Sequence, residues 1–405
     1  MTDMRRTAFF MRDILRSTKG LSLVEMMIVV AIFMGIIIIS SQAFNKILSV
    51  STQQTKSAES DTQGILGLEM LRVDLEHAGY GLPWELSFVA SFEDAQADVG
   101  SLAPGVDPES FNDSQNASSD TNKVPRAVQA GVSSTGSDYL VLKSTLISDP
   151  TGDASSKKWA YVEGIGLSSL LKSWGTDNFS DDEKVITLDS KAKRLISNPV
   201  VPPDVMTAAD FSYAITSATM APPAAFQPPS ASPVYLVYGV SDADSLRVPY
   251  NRIDYYIKPS TSDLPARCAP GTGILYKAVM NHPGGDFPTD SQYPLLECVA
   301  DMQVVFHMDT NGDGGADSFF SHNGLSSLSA KEIREQLKVV NVYLVAHEGG
   351  KDSGFNYNKG KDLVVGEGFG RTLDLEALFA GSSESYRNYR WKSYKLSVTP
   401  KNINY

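Results

Sequence analysis

From Met26 to Ile39 the chain reads MMIVVAIFMGIIII, 14 residues without one polar side chain. With Leu21, Leu23 and Val24 ahead of them, the apolar stretch covers 19 residues, Leu21 to Ile39. At about 1.5 Å of rise per helical residue it reaches roughly 28 Å, close to the ~30 Å of a bilayer's hydrocarbon core. A membrane-spanning helix is the expectation, and a buried core helix the alternative. Arg5, Arg6, Arg12, Arg16 and Lys19 precede it against Asp3 and Asp13, a net charge of +3 that favours the cytoplasmic side. Everything after the span is then expected outside the cytoplasm.

Composition excludes several classes. Of 405 residues, 42% are apolar, 20% are charged and 2 are cysteines, which rules out a disordered chain, a disulfide miniprotein and a cysteine-rich zinc protein. A net charge of -12 opposes contact with a phosphate backbone, so no nucleic-acid partner is expected.

A secretory cleavage site would follow the apolar run with small residues. Ser40, Ser41 and Ala43 are small, but a helical pattern continues straight through them. The unusual residues lie on the other side, where Gly20 follows Lys19 and Glu25 stands among apolar residues. A carboxylate inside a membrane is costly and implies a partner. The segment KGLSLVEMMIVVAIFMG resembles the class III signal of type IV pilins and type II secretion pseudopilins. That resemblance implies cleavage between Gly20 and Leu21 by prepilin peptidase, N-methylation of Leu21, and pairing of Glu25 with the terminal amine of a neighbouring subunit. Leu21 stands where the family commonly has Phe. Met1 and Met11 are both possible starts.

Beyond Ile39 apolar residues recur mainly at three- and four-residue steps, through Phe44, Ile47, Leu48, Ile65, Leu68, Leu71, Leu75 and Ala78. This predicts an amphipathic helix docking on a globular domain. Gly64 and Gly67 should weaken or kink it, and Gly79, Gly81 and Pro83 should end it. The stretch GLEMLRVDLEHAGYGLP, Gly67 to Pro83, resembles the helix end of PilW-type minor pilins.

After Pro83, runs of β-branched and aromatic residues read as strands at 139–143, 159–162, 185–188, 234–238, 252–257, 274–279, 302–308, 338–346 and 391–398. Two segments interrupt them. Glu93 to Pro125 holds seven acids and one base, and reads as a mobile surface excursion. Asn198 to Pro233 holds eight of the 21 prolines, and reads as an extended linker or loop. Either could be a tolerated loop or an adhesive insertion.

Catalytic patterns are missing from the sequence: the five histidines show no HExxH spacing, and no GxSxG elbow or P-loop occurs. No enzymatic activity is expected. One loop, MDTNGDGGADSFF, places Asp309, Asn311, Asp313 and Asp317 at first, third, fifth and ninth positions, with Gly315 between the last two. Such oxygen density suits calcium, although Phe320 stands where an EF-hand has its bidentate Glu. An Asx-rich turn, its carboxylates capping backbone amides, is the alternative. Cys268 and Cys298, in a region placed outside the cytoplasm, are expected to form a disulfide, with two free thiols as the alternative. Closing a loop of about 31 residues contributes roughly 3–4 kcal/mol in the chain-entropy model.

These readings combine into an α+β, pilin-like architecture: leader 1–20, a long N-terminal helix 21–82 (21–39 transmembrane, 40–82 amphipathic), and a mostly antiparallel β-sheet head 83–405 with long loop insertions. The resemblance implies a PilW-type minor pilin, processed and then assembled in a tip or priming complex of a type IV pilus. A J-type pseudopilin of type II secretion and a pilus-borne adhesin are the alternatives. Implied partners are prepilin peptidase, other minor and major pilins, the inner-membrane assembly platform and membrane lipid. The implied location is the inner membrane, single-pass with the head outside, and then the pilus on the cell surface.

Overall fold

A computed structural model describes residues 22–86, 94–96, 100–113, 124–147, 155–164, 170–172, 174–175, 178–198, 208–216, 220–230, 233–259 and 264–403. The leader, with Gly20 and Leu21, lies outside the described residues. Contacts divide the chain into two units, Met1–Thr55 and Lys56–Tyr405.

A single helix, Leu23–His77, crosses both units. No proline interrupts it, and Gly79 and Gly81, with φ of 84° and 68°, turn the chain out of it in a conformation that suits residues without Cβ. The Gly79 N–H donates to the Lys143 carbonyl (2.9 Å) and the Thr145 N–H to the Tyr80 carbonyl (2.8 Å), so the AGYG turn is stitched to the end of a strand.

Within the second unit, the last turns of the helix dock on the sheet. Leu71, Leu75 and Ala78 are fully buried, and each leucine stabilises the fold by about 1.5–3 kcal/mol through burial. Ile65, expected on the docking face, is instead largely exposed. Phe44, Ile47 and Leu48 fall within the 26-residue apolar span Leu23–Leu48. Gly67 does not merely weaken the helix. It lets the helix lie against strand Gln292–Met308, where an added Cβ would stand 2.7 Å from the Leu295 carbonyl oxygen.

All nine expected strands form, several of them longer than expected. They divide between two sheets. The larger runs, edge to edge, Arg390–Val398, Leu337–Glu348, Gln292–Met308, Gly273–Val279, Asn251–Lys258, Asp138–Ser144 and Val128–Val132, antiparallel throughout, with Ser318–Phe320 paired onto Gln292–Met308. The smaller runs Glu85–Leu86, Arg194–Ile196, Lys184–Asp189, Val234–Ser241 and Trp159–Glu163, with Ser212–Ala214 beside Lys184–Asp189. Its pairing of Glu85–Leu86 with Arg194–Ile196 is parallel.

Strand Leu337–Glu348 explains why its sequence is so continuously apolar. Val342, Leu344 and Ala346 enter the main core with Leu71 and Leu75, whereas Tyr343 and Val345 enter a second cluster with Phe379, Tyr389 and Trp391. The smaller sheet is likewise covered on both faces: Ile186 and Leu188 join the main core, and Val185 joins Val162, Val237, Tyr213 and Phe226. Tyr213 and Phe226 come from the proline-rich segment 198–233, so its described part is packed structure and not a linker: aromatic residues between the prolines supply the missing core face.

Candidate functional site

The helix begins with a carboxylate folded back on the amide of the residue that precedes it. Ser22 precedes Leu23, its Oγ accepts from the Val24 N–H (3.3 Å), and Glu25 accepts from the Ser22 N–H (2.9 Å). Such reciprocal capping satisfies donors that a helix N-terminus leaves open. The span that follows, Leu23–Leu48, is strongly apolar and is not buried among the described residues. A core helix of a soluble domain would be buried. This one presents Met26, Met27, Ile28, Phe33 and Ile36 outward, each more than half exposed.

The 309–317 loop joins Gln292–Met308 to Ser318–Phe320, and its carboxylates are committed to backbone amides. Asp309 accepts from the N–H groups of Gly312 (2.7 Å), Asp313 (3.2 Å) and Gly314 (2.9 Å) and pairs with Lys338 (3.2 Å). Asn311 accepts from the Asp313 N–H (2.9 Å), and Asp313 from the Gly315 N–H (2.8 Å). Asp317 accepts from the Asn311 N–H (2.9 Å) and the Thr310 hydroxyl (2.7 Å). The Thr310 and Ser318 hydroxyls hold its carboxyl down at about 2. This is the geometry of consecutive Asx turns.

Among the described residues, the side chains that bring three metal-type donor atoms within 4.8 Å of one another are Cys268, Cys298 and His347. The two sulfurs are joined in a disulfide, with the Cα atoms 4.9 Å apart, so only the imidazole is left as a ligand. His347 is buried against Tyr389 and Trp391, its Nε2 accepts from the Ala269 N–H (2.8 Å), and burial pushes its pKa down to about 4. The neutral ring serves as a packed hydrogen-bond acceptor behind the disulfide.

In the described part of the acidic segment 93–125, expected as a mobile surface excursion, Asp107 is exposed but two acids are not on the surface. Asp94 and Asp113 are buried, and both pair with Lys143, itself fully buried. Asp113 also takes Arg126 Nε (2.9 Å), and Asp94 takes the Tyr250 hydroxyl (2.8 Å). Beside them, Arg252 holds both oxygens of Asp254 at 2.8 Å and donates to the Pro108 carbonyl (2.8 Å) and Asn112 Oδ1 (3.1 Å). Burial first, and the neighbouring carboxylates second, push the Tyr139 and Tyr250 hydroxyls well up, so both remain protonated donors. Asp94 and Asp113 cannot be left in water when lysine and arginine sit inside the sheet: a buried base requires a buried acid. The same logic pins the helix, where Asp74 accepts from Lys277 (2.7 Å) and Tyr255. Sequence reasoning missed this network; its signal was a base inside each apolar run, Lys143 in DYLVLKS and Arg252 in NRIDYYIK.

No family model matches the chain, and no curated protein matches it. Among solved structures it is similar to a type IV-like pilin from Thermus thermophilus, at 12% identity and a TM-score of 0.21, over 38% of this chain and 67% of that one. A similarity this slight shows neither fold nor function.

Proposed function

We propose that this chain is a pilin-like membrane-anchored subunit: a PilW-type minor pilin, cleaved between Gly20 and Leu21 by prepilin peptidase, methylated at Leu21, and assembled in the tip or priming complex of a type IV pilus. The observation that carries the reading is the unburied apolar helix Leu23–Leu48 with the Glu25 carboxylate at its head. At about 1.5 Å per residue its 26 residues reach roughly 39 Å, more than a ~30 Å hydrocarbon core requires. A span this apolar, unburied among the described residues, needs lipid before assembly and the apolar helices of other minor and major pilins afterwards. Glu25, self-capped in the single chain, is available to a neighbour's terminal amine once subunits pack. The inner-membrane platform would present the subunits to one another, with the head outside the cytoplasm and later on the cell surface. The reading assigns no enzymatic activity.

The test is Glu25→Ala. Insertion depends on the apolar span and is eased by loss of a carboxylate, so the variant should be inserted and cleaved but fail to support assembly. Deleting the gene should reduce surface pili counted by electron microscopy. Retention of exported enzymes in the periplasm would instead favour a J-type secretion pseudopilin, and loss of attachment at normal pilus number an adhesin. Normal piliation with normal secretion would overturn the assembly role.

A further inference from the structure

A cleft of about 390 Å³ opens where the larger sheet meets the segment 371–378, within the size range of small-ligand sites. Ile257, Leu373 and Leu378 supply apolar wall, Asp301 is a lining residue at 5% exposure, and Arg371 and Asp374 stand nearer the solvent. We propose that this cleft binds an alkylammonium group, of the kind carried by a lysine side chain, with its methylenes against the apolar wall and its charge on Asp301.

The charges around the cleft favour a cation. Arg371 is taken up by Asp138 (2.8 Å) and the Gly136 carbonyl (2.6 Å), and His322 faces the same Asp138 oxygen at 3.3 Å. Asp374 and Glu376 share Lys361, at 3.3 and 3.4 Å. Asp301 accepts from Ser137 Oγ (3.0 Å) and Gln303 Nε2 (2.6 Å), and among the described residues no cation forms a salt bridge with it. Two neutral donors position its oxygens, and Arg371, itself paired with Asp138, favours its charge only through space while Asp138 opposes it, so an ammonium ion would supply the direct partner that this buried carboxylate has not got among the described residues. An anion would meet Asp301 with the one nearby guanidinium already engaged. A sugar would find no aromatic ring among the cleft-lining residues to stack on. Burial pushes the Asp301 carboxyl up to about 6, so a bound cation should be held more tightly as the pH rises through that value.

The inference does not depend on the pilus reading, and its test uses the full chain in detergent micelles. Nα-acetyl-lysine methylamide, its Nε-acetylated counterpart and 1,5-diaminopentane are titrated by calorimetry. Saturable binding of the charged lysine probe or of the diamine is expected, the first pointing to a partner's lysine and the second to a free amine. Acetylation of the ε-nitrogen and Asp301→Asn should each weaken binding at least about tenfold, the order lost with one charge-assisted hydrogen bond. Ala377→Trp, at an exposed position on the cleft lining, should block binding without touching the buried carboxylate, so the proposal stays testable if Asp301→Asn does not fold. Absence of saturable binding, equal binding of the acetylated probe, or binding that survives both substitutions would overturn it.

Discussion

Gly67 on the long helix and Leu295 on the longest strand approach so closely that a Cβ on the glycine would lie 2.9 Å from the Leu295 Cβ, inside any real contact distance. Alanine is the better helix former by about 1 kcal/mol, yet here it must push helix and strand apart, at a cost of about 1–3 kcal/mol for overpacking. Gly67→Ala is therefore expected to be neutral to destabilising, by up to about 2 kcal/mol in urea unfolding. A clear gain in stability would show that the helix does not rest on that strand.

Lys143→Met keeps the shape and removes the charge that Asp94 and Asp113 share. Breaking a buried pair on one side typically costs about 3–5 kcal/mol, and the variant should unfold at correspondingly lower urea. A loss under about 1 kcal/mol would mean the two acids are solvated after all.

The difference between legible and illegible parts of this fold follows from range. Strands such as 338–346 and 391–398 announce themselves because alternation and β-branching are local, and the end of the long helix is written in Gly79 and Gly81. Asp94 and Asp113 were not legible: a run of acids reads as solvated when its bases are on strands far along the chain. The division into two sheets also escaped, since pairing Val234–Ser241 with Trp159–Glu163 while Asn251–Lys258 joins Asp138–Ser144 is a matter of topology that no local pattern encodes. Asp301 went unremarked for a similar reason: VADMQVV looks like any strand, and the cleft exists only once Arg371 and Leu378 arrive from the C-terminal region.

Asp301 also carries a pH signature. Its carboxyl titrates near 6 in the folded chain against 3.8 ordinarily. Between those values the folded state holds a proton that the unfolded chain has lost, so this residue lowers stability as pH rises from about 4 to about 6. Asp301→Asn should be more stable than the parent at pH 7, on the order of 1–3 kcal/mol, with the difference vanishing by about pH 4. Parallel stability–pH curves for the two proteins would contradict this.

The 309–317 loop separates its two readings by titration. With its oxygens engaged by backbone N–H groups and Lys338, it should leave the melting temperature unchanged in millimolar calcium, and Asp317→Ala should lower that temperature with or without the ion. A calcium-dependent rise abolished by Asp313→Ala would establish a cation site.

Mass spectrometry of the N-terminal peptide, from chain extracted out of the membrane, tests the central claim most directly. The account predicts a mature terminus at Leu21 bearing one methyl group, with Gly20→Glu leaving the leader attached. A wild-type chain that retains Met1 or Met11 at its terminus would contradict it.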